Sequence, residues 1–169
     1  MKMGLDLSIN NTGIAIETEQ GVIYYLITSK ETRSLKKIKH CRFDYLTYSK
    51  TDEDDDNIFE ICHKIKYLIH KHDITYITLE APALNAKGRA AVTIAGLNYS
   101  VRQMLKELQI PYNLIQPTAL KKEFTGNGCA DKELMCYCWK ILDPISNELK
   151  GIKVDDLADA YALLNFSHK

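Results

Sequence analysis

No stretch of this chain approaches the roughly 20 consecutive apolar residues that cross a bilayer, and the amino-terminal Met-Lys-Met-Gly-Leu-Asp puts a carboxylate where a secretory signal needs apolar residues. A membrane partner is therefore not expected, and the expected location is the cytoplasm. Paired cysteines are missing too: the five present are odd in number and form no Cys-x-x-Cys pattern, which argues against a disulfide framework and for reduced thiols. His40-Cys41 and Cys62-His63 match the spacing of no common zinc finger. Net charge is absent, with 22 Lys+Arg against 22 Asp+Glu, so bulk electrostatics do not by themselves point to nucleic acid. Repeats and low-complexity tracts are absent as well. What is left, 169 residues of 46% hydrophobic and 26% charged character, is the composition of one folded globular domain covering residues 1–169.

Neutrality hides local fields. Lys30, Arg33, Lys36, Lys37, Lys39 and Arg42 form a basic run, and Asp52 to Asp56 an unbroken acidic one. Either could be a solvated face. The acidic run also precedes an amphipathic segment, where carboxylates complement a helix dipole.

Residues 2–8 alternate, with Met3, Leu5 and Leu7 on one side and Gly4, Asp6 and Ser8 on the other, as in a half-buried strand. Turn residues at 10–11 and 19–21 set off two further strands at 13–18 and 22–28. Helical spacing from Ile58 to Ile69 is followed by a strand at 75–80 that Ala81-Pro82 ends. A long helix over about 88–108, a strand at 112–115, a helical turn opened by Pro117, and helices near 131–142 and 154–166 complete the chain. This order predicts an α/β fold: a mixed five-stranded sheet with three antiparallel strands first, flanked by helices, and with the 75–80 strand beside the first.

Aspartate is depleted in strands, so Asp6 inside an apolar alternation needs a reason, and Glu80 raises the same question. On adjacent parallel strands both carboxylates can leave one sheet face near its carboxyl-terminal edge. Asp156 and Asp159 share a face of the last helix, while Leu157, Tyr161 and Leu164 point to the core. Four converging acids would repel one another unless cations compensated them. Hard oxygen donors point to Mg²⁺ or Mn²⁺, with two ions about 4 Å apart serving phosphodiester hydrolysis. Each acid also has a structural explanation of its own, as a turn acceptor, a cap or a helix-start charge, so the residues alone leave both readings open.

Gly4-Leu5-Asp6-Leu7-Ser8 with Gly13, Ile77-Thr78-Leu79-Glu80, and Asp156-Leu157-Ala158-Asp159-Ala160 resemble, in order and spacing, the catalytic segments of RuvC-type Holliday-junction resolvases, a family of RNase H-like fold. Gln116 to Lys121 and Gly126-Asn127-Gly128-Cys129-Ala130-Asp131-Lys132 resemble that family's lysine-bearing segments around a glycine loop, so the likeness covers nearly the whole chain. The resemblance implies that Asp6, Glu80, Asp156 and Asp159 are catalytic and hold two Mg²⁺ ions, Mn²⁺ being the alternative. Asp155 competes with Asp156, since it too shares a face with Asp159. Lys121 and Lys132 would lie near the scissile phosphate, with Lys87 and Arg89 as further DNA contacts. A homodimer cutting opposed strands of a four-way junction is implied, in a prokaryotic or viral setting, with the 88–108 helix as dimer element through Val92, Leu97, Val101 and Leu105, positions that the domain's own core could equally claim.

The chain departs from the family pattern just after the catalytic glutamate, where bacterial members carry a stacking aromatic and this sequence has Ala83. Weaker sequence reading is therefore expected, with flaps and forks accepted beside junctions, unless Tyr99 or another aromatic supplies the wedge. Alternatives are a flap nuclease or hybrid-cutting ribonuclease of the same fold, a silent junction-binding module, and a nucleotide-binding module of the actin and sugar-kinase type. The last needs a second copy of the fold for which this chain is too short.

Overall fold

The computed structural model describes residues 1–82, 87–149 and 155–167. Its strands are β1 (Lys2–Asp6), β2 (Asn11–Thr18), β3 (Gly21–Thr28), β4 (Phe43–Thr47), β5 (Tyr76–Glu80) and β6 (Tyr112–Ile115). Its helices are α1 (Arg33–Lys37), α2 (Asp54–Lys71), α3 (Arg89–Glu107), α4 (Pro117–Thr125), α5 (Lys132–Leu142) and α6 (Asp155–Leu164), with a 3-10 turn at Pro144–Asn147. The strands form one sheet in the order β4-β3-β2-β1-β5-β6. β1, β2 and β3 are antiparallel neighbours, and β5 runs parallel beside β1, as the sequence predicts.

The sheet has six strands where five were expected. The addition, β4, is an edge strand parallel to β3. Phe-Asp-Tyr-Leu-Thr is short, and only Phe43 in it is fully buried, so the alternation that marks a strand is weak there. A parallel pair needs a crossover, and residues 29–42, which include α1 and the basic run, supply it.

The local chemistry accounts for the helix ends. Asp54, Asp55 and Asp56 occupy the first turn of α2 with the dipole in their favour. Pro117 opens α4, and Gly126 closes it in the left-handed conformation, φ 80°. The Asp131 side chain accepts from the Leu134 amide and caps α5. The first described residue of α6 is Asp155; the expected start at Val154 lies outside the described residues, and the helix ends at Leu164 rather than Phe166.

Two apolar layers sandwich the sheet. Met3, Leu5, Ile14, Ile16, Ile77 and Leu79 face α2 and α3, which contribute Ile61, Ile65, Leu68, Leu97, Val101 and Leu105. On the opposite face Ala15, Tyr24 and Leu26 meet Leu35, Trp139, Leu157 and Ala160 from α1, α5 and α6. Of the four apolar positions singled out on the 88–108 helix, Leu97, Val101 and Leu105 are thus core, while Val92 is 73% exposed. All five cysteines are thiols. His40 pairs with Glu148, and Cys62 packs against the α2–α3 core, so the two Cys-His pairs are committed to different parts of the protein.

Candidate active site

The second face carries the site. Successive side chains of a strand alternate sides, so Gly4 and Asp6 point away from the layer that holds Met3 and Leu5. The register sets Asp6 opposite Gly13, and Gly4 beside Thr78. Glu80 ends β5 on the same face as Asp6, one strand away.

Two glycines bring α6 down onto this face. A Cβ on Gly4 would stand 2.1 Å from the Ala160 carbonyl oxygen, and one on Gly13 would stand 2.0 Å from that of Asp156. Any side chain there would push the helix off the sheet. Because the backbone of α6 touches both strands, Asp156 and Asp159 are carried to the edge where Asp6 and Glu80 end.

The electrostatics register this convergence. Burial holds the Asp6 carboxyl well above the usual carboxylate range, and the charges of Asp159, Glu80 and Asp156 raise it further, with Lys132 opposing them. Burial and then Asp159 push Glu80 up to about 7, against Lys121. Burial pushes Asp159 up to about 6, against Lys132 and Lys121. All four acids singled out in the sequence therefore share one field.

Lys121 on α4 and Lys132 on α5 are brought to the same place. Lys132 Nζ donates to Asp155 Oδ2 at 2.5 Å, and this bond, followed by the charges of Asp155, Asp156 and Asp159, holds its ammonium above the ordinary lysine value. Asp155 thus faces Lys132, while Asp156 is the neighbour that Asp6 feels. Lys87 is exposed ahead of α3. Arg89 turns to the acidic run, with Nε 3.2 Å from Asp54 Oδ2 and NH2 donating to the Asp52 carbonyl, so its guanidinium is engaged away from Asp6, Glu80, Asp156 and Asp159.

Asn98 was not singled out in the sequence. It is buried in α3 and donates from Nδ2 to the Glu80 carbonyl oxygen at 3.0 Å, fixing the end of β5 from the opposite layer. Its only signal is an amide at a core-facing helical position. The turn after β1 is bound as tightly: Thr12 Oγ1 donates to the Ser8 carbonyl at 2.7 Å, and the Tyr48 hydroxyl donates to that of Ile9.

The donor set consists of hard oxygens. Cys136 lies close enough to feel Asp155 and Asp159, but burial and those charges raise its thiol, so it offers no thiolate. Buried carboxylates that repel one another, with Lys132 already engaged by Asp155, have the chemistry a divalent cation satisfies. Among the described residues no three His, Cys, Asp or Glu side chains are drawn tightly enough to share one ion as they stand. Ligation would have to draw the carboxylates inward.

A model of the family described as crossover junction endodeoxyribonuclease RuvC matches residues 3–166. No protein of curated function matches the chain. Among solved structures, Thermus thermophilus RuvC superimposes with a TM-score of 0.63 at 16% identity over 96% of this chain and 90% of that one. T. thermophilus RuvC in complex with a Holliday junction substrate gives 0.62 at 15% identity, over 96% and 89%. The yeast mitochondrial Holliday junction resolvase Ydc2 gives 0.57 at 14%, over 96% and 75%. At these identities the structures establish a shared fold.

Proposed function

Since the chain belongs to the RuvC family of crossover junction endodeoxyribonucleases, we propose that it is a divalent-metal-dependent endonuclease that resolves four-way DNA junctions by paired, symmetric cuts. The observation that carries this reading is the convergence of Asp6, Glu80, Asp156 and Asp159 at one sheet edge, where the charges of the other three raise Asp6 and that of Asp159 raises Glu80. In this reading residues 1–169 work as one nuclease domain, and the four carboxylates hold two Mg²⁺ ions. The bound cations supply charge compensation and activation of water for in-line displacement at phosphorus. Burial pushes Glu80, held at the strand end by Asn98, up to about 7, so it is about half protonated at neutrality, while Asp159, pushed up to about 6, is mostly ionised there; protons and a bound cation would compete for both carboxylates. Lys121 and Lys132 orient the scissile phosphate.

A homodimer matches the two-fold symmetry of a junction. The exposed Val92 and Tyr99 on α3 support that helix as the dimer element. Ala83, at the position of the family's stacking aromatic, lies outside the described residues; its lack of a π-face supports cutting with little sequence preference and acceptance of flaps or three-way forks. A panel of synthetic four-way junctions, flaps, RNA–DNA hybrids and plain duplexes tests the proposal. Paired nicks in the junction with Mg²⁺, and slower cutting of the rest, are expected. Preferential cutting of hybrids would make the protein a ribonuclease.

A further inference from the structure

The basic run becomes informative once its path is known. β1 and β3 both run antiparallel to β2, so the Thr28 end of β3 lies at the same sheet edge as Asp6. β4 is parallel to β3 and starts at the far edge, with Phe43 beside Tyr24. Residues 29–42 must therefore descend the length of the sheet from the catalytic edge. Leu35 and Ile38 pin them to the face that also holds α5 and α6.

The crossover is strongly charged. Its six cations, Lys30 to Arg42, stand against one acid, Glu31, which leaves +5; the chain as a whole is neutral, so the remainder carries −5. Two of the six are engaged, Lys36 with Glu31 at 2.7 Å and Arg42 with Asp143 at 3.0 Å. Lys30, Arg33, Lys37 and Lys39 are exposed, and no ion pair engages them among the described residues. On the other layer the acidic run leads into α2, and Asp54 neutralises Arg89. The crossover thus leaves the catalytic edge with Lys30, whereas the chain enters the opposite layer through the acidic run.

We propose that the β3–β4 crossover is a second DNA-contact surface, a sequence-independent track for the phosphate backbone of one duplex arm leaving the branch point along the α1 side. This rests on the junction-cleaving reading above and adds to it the route the arm takes. Five paired residues of β3 and β4 span about 15 Å, along which duplex DNA presents on the order of nine phosphate charges. Four unengaged cations suffice to contact up to four of those phosphates, and the acidic run repels a duplex from the opposite layer.

The test uses the full chain carrying R33A, K37A and K39A together. These side chains are exposed, and α1 keeps its Thr32 cap and its Leu35 anchor. Binding to a four-way junction is measured across salt concentrations, with hydroxyl-radical footprinting of the arms. Each lost phosphate contact lowers the salt slope by about 0.9, so a slope flatter by about 2.7 is expected. Protection should vanish from one arm away from the branch and persist at the branch. R33K should retain the wild-type slope. If the triple variant loses its fold, K30A with K39A, both outside α1, should flatten the slope by about 1.8. An unchanged slope and footprint would reduce the crossover to a solvated face and overturn the proposal. Failure of the wild-type protein to bind branched DNA at all would instead overturn the reading on which it rests.

Discussion

The two faces of the central strands serve different ends. Toward α2 and α3, β1 and β5 present Met3, Leu5, Ile77 and Leu79, all fully buried against aliphatic side chains. Toward α6 the alternate positions of the same strands present Gly4, Asp6, Thr78 and Glu80. One face is closed by volume. The other is closed by the lack of it, because α6 lies on glycines and the space beyond is left to carboxylates. A slip of one residue in β1 would exchange the two sets, so the aliphatic face enforces the register on which the site depends.

The largest contrast should come from filling each face wrongly. Gly13→Val puts side-chain atoms where the Asp156 carbonyl now lies. It should displace α6, lower the melting temperature sharply and abolish cleavage together. Leu68→Ala in the aliphatic layer should cost about 2–5 kcal/mol yet leave the cleavage rate of the folded fraction near wild type. Denaturation midpoints paired with single-turnover cleavage distinguish them, and equal rate losses would dissolve the contrast.

Next in size is a pH effect confined to the carboxylate face. Glu80 rises from 4.5 to about 7 and Asp159 from 3.8 to about 6, so the metal-free folded protein holds protons that the unfolded chain releases. Their contribution to stability is therefore complete below about pH 4 and is lost as pH rises through 6 and 7. Metal-free melting temperature should fall across that window, and Mg²⁺ should raise it more at pH 8 than at pH 5, since protons compete for the same oxygens. Glu80→Gln should flatten the profile. A pH-independent response to Mg²⁺ would contradict the shared field.

Smaller effects follow at the rim. Lys132→Ala should slow cleavage and flatten the salt slope of junction binding by about 0.9, and should leave the Asp155 carboxylate without this donor. An unchanged rate and slope would make Lys132 an ordinary surface residue. Arg89→Ala should alter junction binding least, because that guanidinium is already engaged by Asp54; a slope change equal to that of Lys132→Ala would show that DNA displaces this pair.

How much was legible in the sequence follows the same division. The alternation around Asp6 and the apolar spacing of α2 and α3 are local, and they specify the opening strands, the aliphatic layer and the four acids. β4 was not legible because an edge strand buries little and its pairing with β3 depends on a crossover. The value of Gly4 and Gly13 also needed three dimensions: the motif contains them, but only the packing of α6 shows that their hydrogens are what the site requires. The pairing of Arg89 with Asp54 was not legible either, because the two lie 35 residues apart. Val92 resembled its helix neighbours in hydropathy, and only the fold separates it from the core.

The central claim is that this carboxylate face is a metal-dependent nuclease centre for branched DNA. Asp6→Asn removes one carboxylate oxygen's charge at the centre of the field and leaves the basic surface intact. The measurement is cleavage of a fixed four-way junction with Mg²⁺, taken beside binding of the same junction, for the wild type and for this variant. The account predicts paired symmetric nicks by the wild type, and no cutting with near wild-type affinity by Asp6→Asn. Retained cutting by the variant, or parallel loss of binding and cutting, would contradict it.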